Sequence, residues 1–375
     1  MLRRIAIVLT HPIQYYSPLF KELASRKTIE FKVFYTKCRE STLYDSGFQR
    51  NVSWDLPLLD GYNYEFSEVD NAFASARKTI RSIEKYSPDG IIVYGWNFLA
   101  HFTIMHHFKG KVPIYFRGDS TLIDSYGWLK KIIRQLVLRF VYNFVDKAFY
   151  VGKQNKKYYQ FAGLKESQLI YAPHAIDNDR FSKAASLTKL GTISEQLGIT
   201  PKTSIFLFVG KFERKKNPIL LVNAFQKFTN NEEVKLIMVG SGELESELRL
   251  FEKMDGRIHV LPFQNQSDIP LYYHLCDTFI LPSAGPEETW GLAVNEAMAC
   301  SKAIIISNMV GCSDDLVVDG VNGYIFETGN ADMLFGQMQK LVDKDISRNM
   351  GKASYAIIQN FSFEKIADIF ENTFI

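Results

Sequence analysis

Short, almost uninterrupted apolar runs recur along this chain, separated by stretches in which apolar positions return at helical spacing. In the first half the runs occupy residues 5–9, 31–35, 90–94, 112–116 and 147–151; in the second, 204–209, 235–239, 258–261, 278–281 and 303–306. A strand with one wet face alternates apolar and polar residues. A continuous run fits a strand covered on both faces, in a parallel sheet between helices. Two such series predict an α/β protein of two doubly wound, Rossmann-like domains, and a length of 375 residues accommodates both. We place the first domain at residues 1–175, the second at 176–355 and a closing helical segment at 356–375. Within that segment Phe363–Phe374 reads as an amphipathic helix with Ser362 as its N-cap. The break falls in Tyr171-Ala172-Pro173-His174-Ala175-Ile176-Asp177, and residues 183–200 follow as a polar connection of weak helical character.

Composition narrows the setting. Hydrophobic residues make up 46% of the chain, enough for two cores. Its 4 cysteines are scattered without a C-x-x-C pair, which argues against a zinc site and a disulfide framework and for a reducing compartment. Two arginines precede the first apolar run, but it stops at His11-Pro12, so it reads as a buried strand rather than a signal peptide. No run approaches the roughly 20 residues of a membrane span. We therefore expect a soluble or peripheral cytoplasmic protein. The net charge of +3 is unevenly placed: residues 1–175 carry +10 and residues 176–375 carry −7, which predicts different partners for the two halves. No nucleic-acid partner is expected. Residues 128–141 form a basic and strongly apolar helix. It fits either a core helix with one polar edge, the preferred reading, or a helix resting on anionic lipid headgroups at the inner face of the cell membrane.

Chemistry concentrates in Glu287-Glu288-Thr289-Trp290-Gly291-Leu292-Ala293-Val294-Asn295-Glu296, after the apolar run 278–281 and Pro282-Ser283. Glu288 sits in a loop and Glu296 inside a helix that starts near Gly291-Leu292. Gly291 lets backbone approach a ligand closely, and a helix N-terminus offers N–H groups and a positive dipole end to a phosphate. A carboxylate on each side of that anion site can grip hydroxyls at both ends of a diphosphate, as a nucleotide-sugar requires.

The segment resembles the E-x7-E motif of the family-four retaining glycosyltransferases of group 1, which have the GT-B fold. That resemblance implies two Rossmann-like domains facing a cleft, an N-terminal one for the acceptor and a C-terminal one for the nucleotide-sugar, with the last helix crossing back to the first domain. It implies that Glu288 faces the donor sugar and Glu296 the ribose. In Val209-Gly210-Lys211-Phe212-Glu213-Arg214-Lys215-Lys216-Asn217-Pro218, Lys211 takes the place of the family's phosphate-binding Arg, Lys216 matches its Lys, and Asn217 replaces a Gly. Positive charge there stabilises the diphosphate leaving group as the glycosidic bond breaks. Gly240-Ser241-Gly242 resembles the family's turn near the nucleotide, and Phe263 and Gln264 match the segment that packs on the base. Gly210 and Leu292 complete the donor set.

On the acceptor or sugar side the first turn carries His11 and Gln14 where much of the family has a Gly-Gly loop. Arg117 or Asp119 stands where many members have a cleft histidine, and Trp96 is a candidate stacking surface. His101, His106 and His107 read as helix surface rather than a metal site. No D-x-D clamp is present in the right place, and with two lysines and a helix dipole on the diphosphate we expect metal independence and no cofactor. The expected activity is retaining transfer of a sugar from a nucleotide-diphosphate-sugar to a glycan or lipid-linked acceptor. The alternatives are a nucleotide-sugar epimerase on the same fold and a catalytically silent nucleotide-sugar-binding protein.

Overall fold

A computed structural model describes residues 2–38, 43–69, 71–123, 127–183, 186–229, 233–285 and 287–374. Its first nine strands are β1 (Arg4–Leu9), β2 (Glu30–Tyr35), β3 (Leu43–Asp45), β4 (Arg50–Val52), β5 (Tyr64–Phe66), β6 (Gly90–Tyr94), β7 (Ile114–Arg117), β8 (Lys147–Tyr150) and β9 (Leu169–Tyr171). Six follow: β10 (Ser204–Lys211), β11 (Val234–Ser241), β12 (Ile258–Leu261), β13 (Thr278–Leu281), β14 (Ala303–Ser307) and β15 (Gly323–Phe326). The chain divides into two compact units. One comprises residues 1–41, 56–174 and 362–375; the other comprises 42–55 and 175–361.

In the first unit seven strands form one parallel sheet in the order β5-β2-β1-β6-β7-β8-β9. Its central strands are buried along almost their whole length, as continuous apolar runs require. The helix Phe363–Phe374 belongs to this unit. Its Phe370 ring lies 4.6 Å from Phe149 and its Phe374 ring 4.7 Å from Tyr115. Arg26 donates to Glu22, Asp368 and Glu371, fastening the helix Ser17–Arg26 to the last one. The Ser362 hydroxyl accepts from the Lys365 N–H at 3.4 Å, so the expected cap is present.

In the second unit six parallel strands run β12-β11-β10-β13-β14-β15, the doubly wound order. The order reverses between β10 and β13, and ligands of such sheets bind outside the carboxyl ends of the strands at that point. Two features differ from the sequence reading. Within residues 183–200 a regular helix, Leu187–Gln196, starts at Ser186, whose hydroxyl accepts from the Lys189 N–H; residues 184 and 185 lie outside the described ones. The antiparallel hairpin β3–β4 groups with this unit, although it comes from the first part of the chain.

Candidate active site

At the reversal point of the second sheet, β10 and β13 end in two loops tied together by the Ala284 N–H donating to the Lys215 carbonyl at 2.8 Å. The loop after β10 turns through Arg214–Lys216, and Asn217 then takes a left-handed conformation at φ 52° before Pro218 opens a helix. That turn directs Lys216 onto Glu288: the Lys216 ammonium donates to Glu288 Oε2, and the Ser283 hydroxyl donates to the same oxygen at 2.9 Å. Both charged side chains are largely buried, with 18% and 10% of their surface exposed. The loop after β13 is fixed from the other side, where Gly311 and Cys312 N–H groups donate to the Glu288 and Trp290 carbonyls at 2.9 and 3.0 Å.

Gly291 follows as the N-cap of the helix Leu292–Ala299. Its φ of 97° is costly for a residue with a Cβ, and an added Cβ would lie 2.9 Å from Val310 Cγ1. No side chain caps this helix, which leaves its positive end available to an anion. Glu296 lies further along it, 3% exposed, and accepts from the Tyr273 hydroxyl at 2.7 Å. The two carboxylates thus differ in surroundings: Glu288 is held by a cation, Glu296 by a phenol.

Lys211, at the end of β10, pairs with Asp45 of the hairpin at 2.7 Å. Burial alone would raise the Asp45 carboxyl, but hydrogen bonds from Lys211 and from the Phe48 and Gly47 N–H groups hold it below the ordinary aspartate value. Gly210 and Gly240 stand side by side where β10 and β11 end; a Cβ on Gly240 would meet the Gly210 carbonyl oxygen at 1.9 Å, so these backbones approach closely only because position 240 is glycine. The Ser241 hydroxyl donates to the Phe48 carbonyl at 3.0 Å. Phe263 is half-buried among the rings of Phe48 at 4.9 Å and Trp54 at 6.1 Å, with the Arg50 guanidinium 4.9 Å above it. Its neighbours are the hairpin, not the core. Gln264 donates to the Pro262 carbonyl at 3.1 Å.

The remaining candidates lie in the first unit. His11 follows β1, half-buried, with Nδ1 2.9 Å from the Thr10 hydroxyl; burial and then Lys37 lower its pKa. Gln14 is half-buried just before the helix Ser17–Arg26. Arg117 is 1% exposed and spends its guanidinium on backbone, donating to the Ala172 and Pro173 carbonyls at 2.9 and 2.8 Å. Asp119 is half-buried and bears electrostatically on Tyr16 and His174. His174 is buried and stacked on Tyr16; desolvation, partly opposed by Asp119 and reinforced by Arg117, brings its pKa down to about 4. Trp96 is half-buried against the core of this unit. One expectation is corrected: His101 is fully buried rather than on the helix surface. Its Nδ1 lies 3.1 and 3.0 Å from the Tyr94 and Gly95 carbonyls and its Nε2 3.0 Å from the Thr36 hydroxyl, so it joins the ends of β2 and β6.

Residues 191–356 match the family Glycosyl transferases group 1. The second unit is a group 1 glycosyl transferase domain. The chain is 29% identical over 48% of its length to N-acetyl-alpha-D-glucosaminyl L-malate synthase of Bacillus anthracis, covering 48% of that protein. It is 28% identical to the lipopolysaccharide 1,2-N-acetylglucosaminetransferase of Salmonella typhimurium, over 48% of this chain and 50% of that one. The chain thus spans about half the length of the curated relatives it matches. In three dimensions the likeness extends further. HepE of Anabaena in complex with UDP superposes with a TM-score of 0.76 at 18% identity, covering 100% of this chain and 99% of that one. Sucrose-phosphate synthase of Thermosynechococcus elongatus gives 0.73 at 18% identity, covering 99% and 98%. At these identities the structures show a shared fold, GT-B.

The glycosyl transferase domain explains one departure seen in the sequence. The position after Lys216 needs a left-handed backbone, which glycine adopts freely and asparagine tolerates better than other residues. It also contains residues that sequence reasoning missed. Tyr273 carried no signal, because a tyrosine in an apolar helix reads as core. Asp45 carried a weak one: Asp45-Ser46-Gly47 is an Asx-type turn, with Asp45 accepting from Gly47 and Phe48 at 2.9 and 3.1 Å.

Proposed function

We propose that this chain is a retaining glycosyltransferase that moves a sugar from a nucleotide-diphosphate-sugar to a glycan or lipid-linked acceptor, in surface polysaccharide or glycoconjugate synthesis. The observation that carries this reading is the Lys216–Glu288 pair with Ser283, set at the sheet's reversal point beside the uncapped helix Leu292–Ala299. When a donor binds, its diphosphate takes over Lys216 and the helix end, and Glu288 is released to face the sugar. Lys211 adds a second positive charge from the other side of the loop. Glu296, already ordered by Tyr273, takes the ribose hydroxyls. As the bond from sugar to phosphate breaks, negative charge grows on the leaving oxygen, and a preorganised ammonium stabilises it most in the transition state. The acceptor attacks the face that the leaving group vacates, and a phosphate oxygen takes the proton.

In this reading no divalent ion is required, and the enzyme works in the cytoplasm, where its free cysteines stay reduced. HepE, solved with UDP and with UDP-glucose, makes those two molecules the first probes to try. The test is nucleotide release from a panel of nucleotide-sugars with and without acceptor. Release that depends on acceptor supports transfer. An altered sugar still joined to its nucleotide would indicate an epimerase, and binding without turnover would indicate a silent module.

A further inference from the structure

The basic helix Trp128–Tyr142 is not the core helix that the sequence favoured. Only Leu138, Val141 and Tyr142 are buried along it. Trp128 is 71% exposed and Ile133 62%, and Leu129, Ile132, Leu136, Val137 and Phe140 are exposed as well. At 100° per residue these seven side chains fill an arc of about 180°, opposite the buried three. Single exposed apolar residues are ordinary, but a continuous stripe of seven large ones is not. The stripe continues onto the neighbouring helix Leu99–Phe108, where Phe102 touches Phe140 at 6.1 Å and Phe98 and Leu99 are exposed one turn earlier. Lys130 borders the stripe on one edge and Arg139 on the other, Lys131 is exposed in the first turn, and the helix contains no Asp or Glu. No helix among the described residues is long and apolar enough to cross a membrane.

We infer that this helix is a docking surface for an anionic lipid bilayer. It would lie flat in the headgroup region, with the apolar stripe sunk toward the acyl chains and Lys130 and Arg139 against phosphates. Charge complementarity selects this occupant over a second copy of the chain. Two such helices packed face to face would bring cation against cation with no carboxylate on either to offset it, whereas an anionic membrane satisfies both the stripe and its basic edges. The inference goes beyond the proposed reaction and is read out without turnover, so either can fail alone.

The experiment is sedimentation with vesicles made of equal parts phosphatidylglycerol and phosphatidylcholine, or of phosphatidylcholine alone, at low and high salt. The protein should sediment with the anionic vesicles at low salt, much less with the neutral ones, and should be released as salt screens the headgroups. Each neutralised charge at the stripe's edges should weaken anionic binding about fivefold, so Lys130→Gln with Arg139→Gln should cost roughly 25-fold. Ile133→Ser with Leu136→Ser should reduce partitioning to both vesicle types, while thermal melts show that the fold is kept. Absence of the protein from anionic vesicles at low salt overturns the inference, as does undiminished binding by the serine variant. So does a dimer in solution that the serine variant dissociates, which would assign the face to a second copy.

Discussion

Beyond the carboxyl ends of β10 and β13 a lysine and a glutamate hold each other, while at the carboxyl end of β7 an arginine holds backbone. Lys216 and Glu288 keep some contact with solvent, and each neutralises the other. Arg117 is sealed in, with its guanidinium spent on the Ala172 and Pro173 carbonyls. Both sheets are parallel and doubly wound, so topology puts polar residues at the same kind of strand end in each. What differs is whether a ligand can take a partner over. An ion pair that reaches water exchanges one anion for another at little net cost, because phosphate replaces carboxylate on the same ammonium. A buried arginine can be given up only by leaving carbonyls unsatisfied in the interior. Charged residues of the first kind are available for chemistry; those of the second hold the chain in place.

Removal of the exchangeable cation should have the greatest consequence. Lys216→Ala should lower turnover by about 10²–10³, with the fold intact by circular dichroism and thermal melting. Near-normal turnover would remove Lys216 from the reaction. The next test separates the two carboxylates. Glu296→Ala deletes the proposed ribose acceptor and should weaken the affinity for free UDP by about 10–100-fold, the worth of hydrogen bonds to a charged group. Glu288→Ala should leave UDP affinity nearly unchanged and slow the sugar step. Equal losses of UDP affinity in calorimetric titrations of the two variants would refute the division of roles.

The contrast also sharpens at Arg117. Arg117→Met keeps the bulk of the side chain but strands two buried carbonyls, so it should destabilise the first unit by about 2–4 kcal/mol. UDP binding, which the reading assigns to the other unit, should not change. A stability within experimental error of the parent chain would mean that water or a neighbour rescues those carbonyls. A lost UDP affinity would mean that this arginine reaches the donor after all.

These residues also mark where sequence stops informing. The central strands could be read because burial on both faces forces continuous apolar runs, and the final helix because its apolar stripe has to face a core. Glu288, Gly291 and Lys216 could be read because local backbone chemistry ties them to one turn and one helix start. The pairing of Lys211 with Asp45 could not: β3 and β4 are three residues each, too short for periodicity, and which unit a hairpin joins depends on contacts between residues far apart in sequence. The burial of His101 escaped sequence reading for another reason. A polar residue next to an apolar run looks exposed until the carbonyls that satisfy it are known, and those come from other elements.

The smallest expected effect concerns charge at the diphosphate. Where a divalent cation is the clamp, it bridges the phosphate oxygens and neutralises the leaving group, and a chelator abolishes turnover. Here the same work is assigned to Lys216, Lys211 and the end of the helix Leu292–Ala299, three sources of positive potential fixed before the donor arrives. Lys211 is the weaker of the two lysines, because Asp45 has its own hydrogen bonds from Gly47 and Phe48 and can keep hold of the ammonium. EDTA should therefore leave nucleotide release essentially unchanged in the parent chain. The informative arm is Lys216→Ala with and without added Mg²⁺. If the metal does not restore turnover to that variant, the diphosphate depends on the lysine. If EDTA silences the parent chain and Mg²⁺ or Mn²⁺ revives it, the cation does the work, and the proposed exchange between Glu288 and phosphate on Lys216 is wrong.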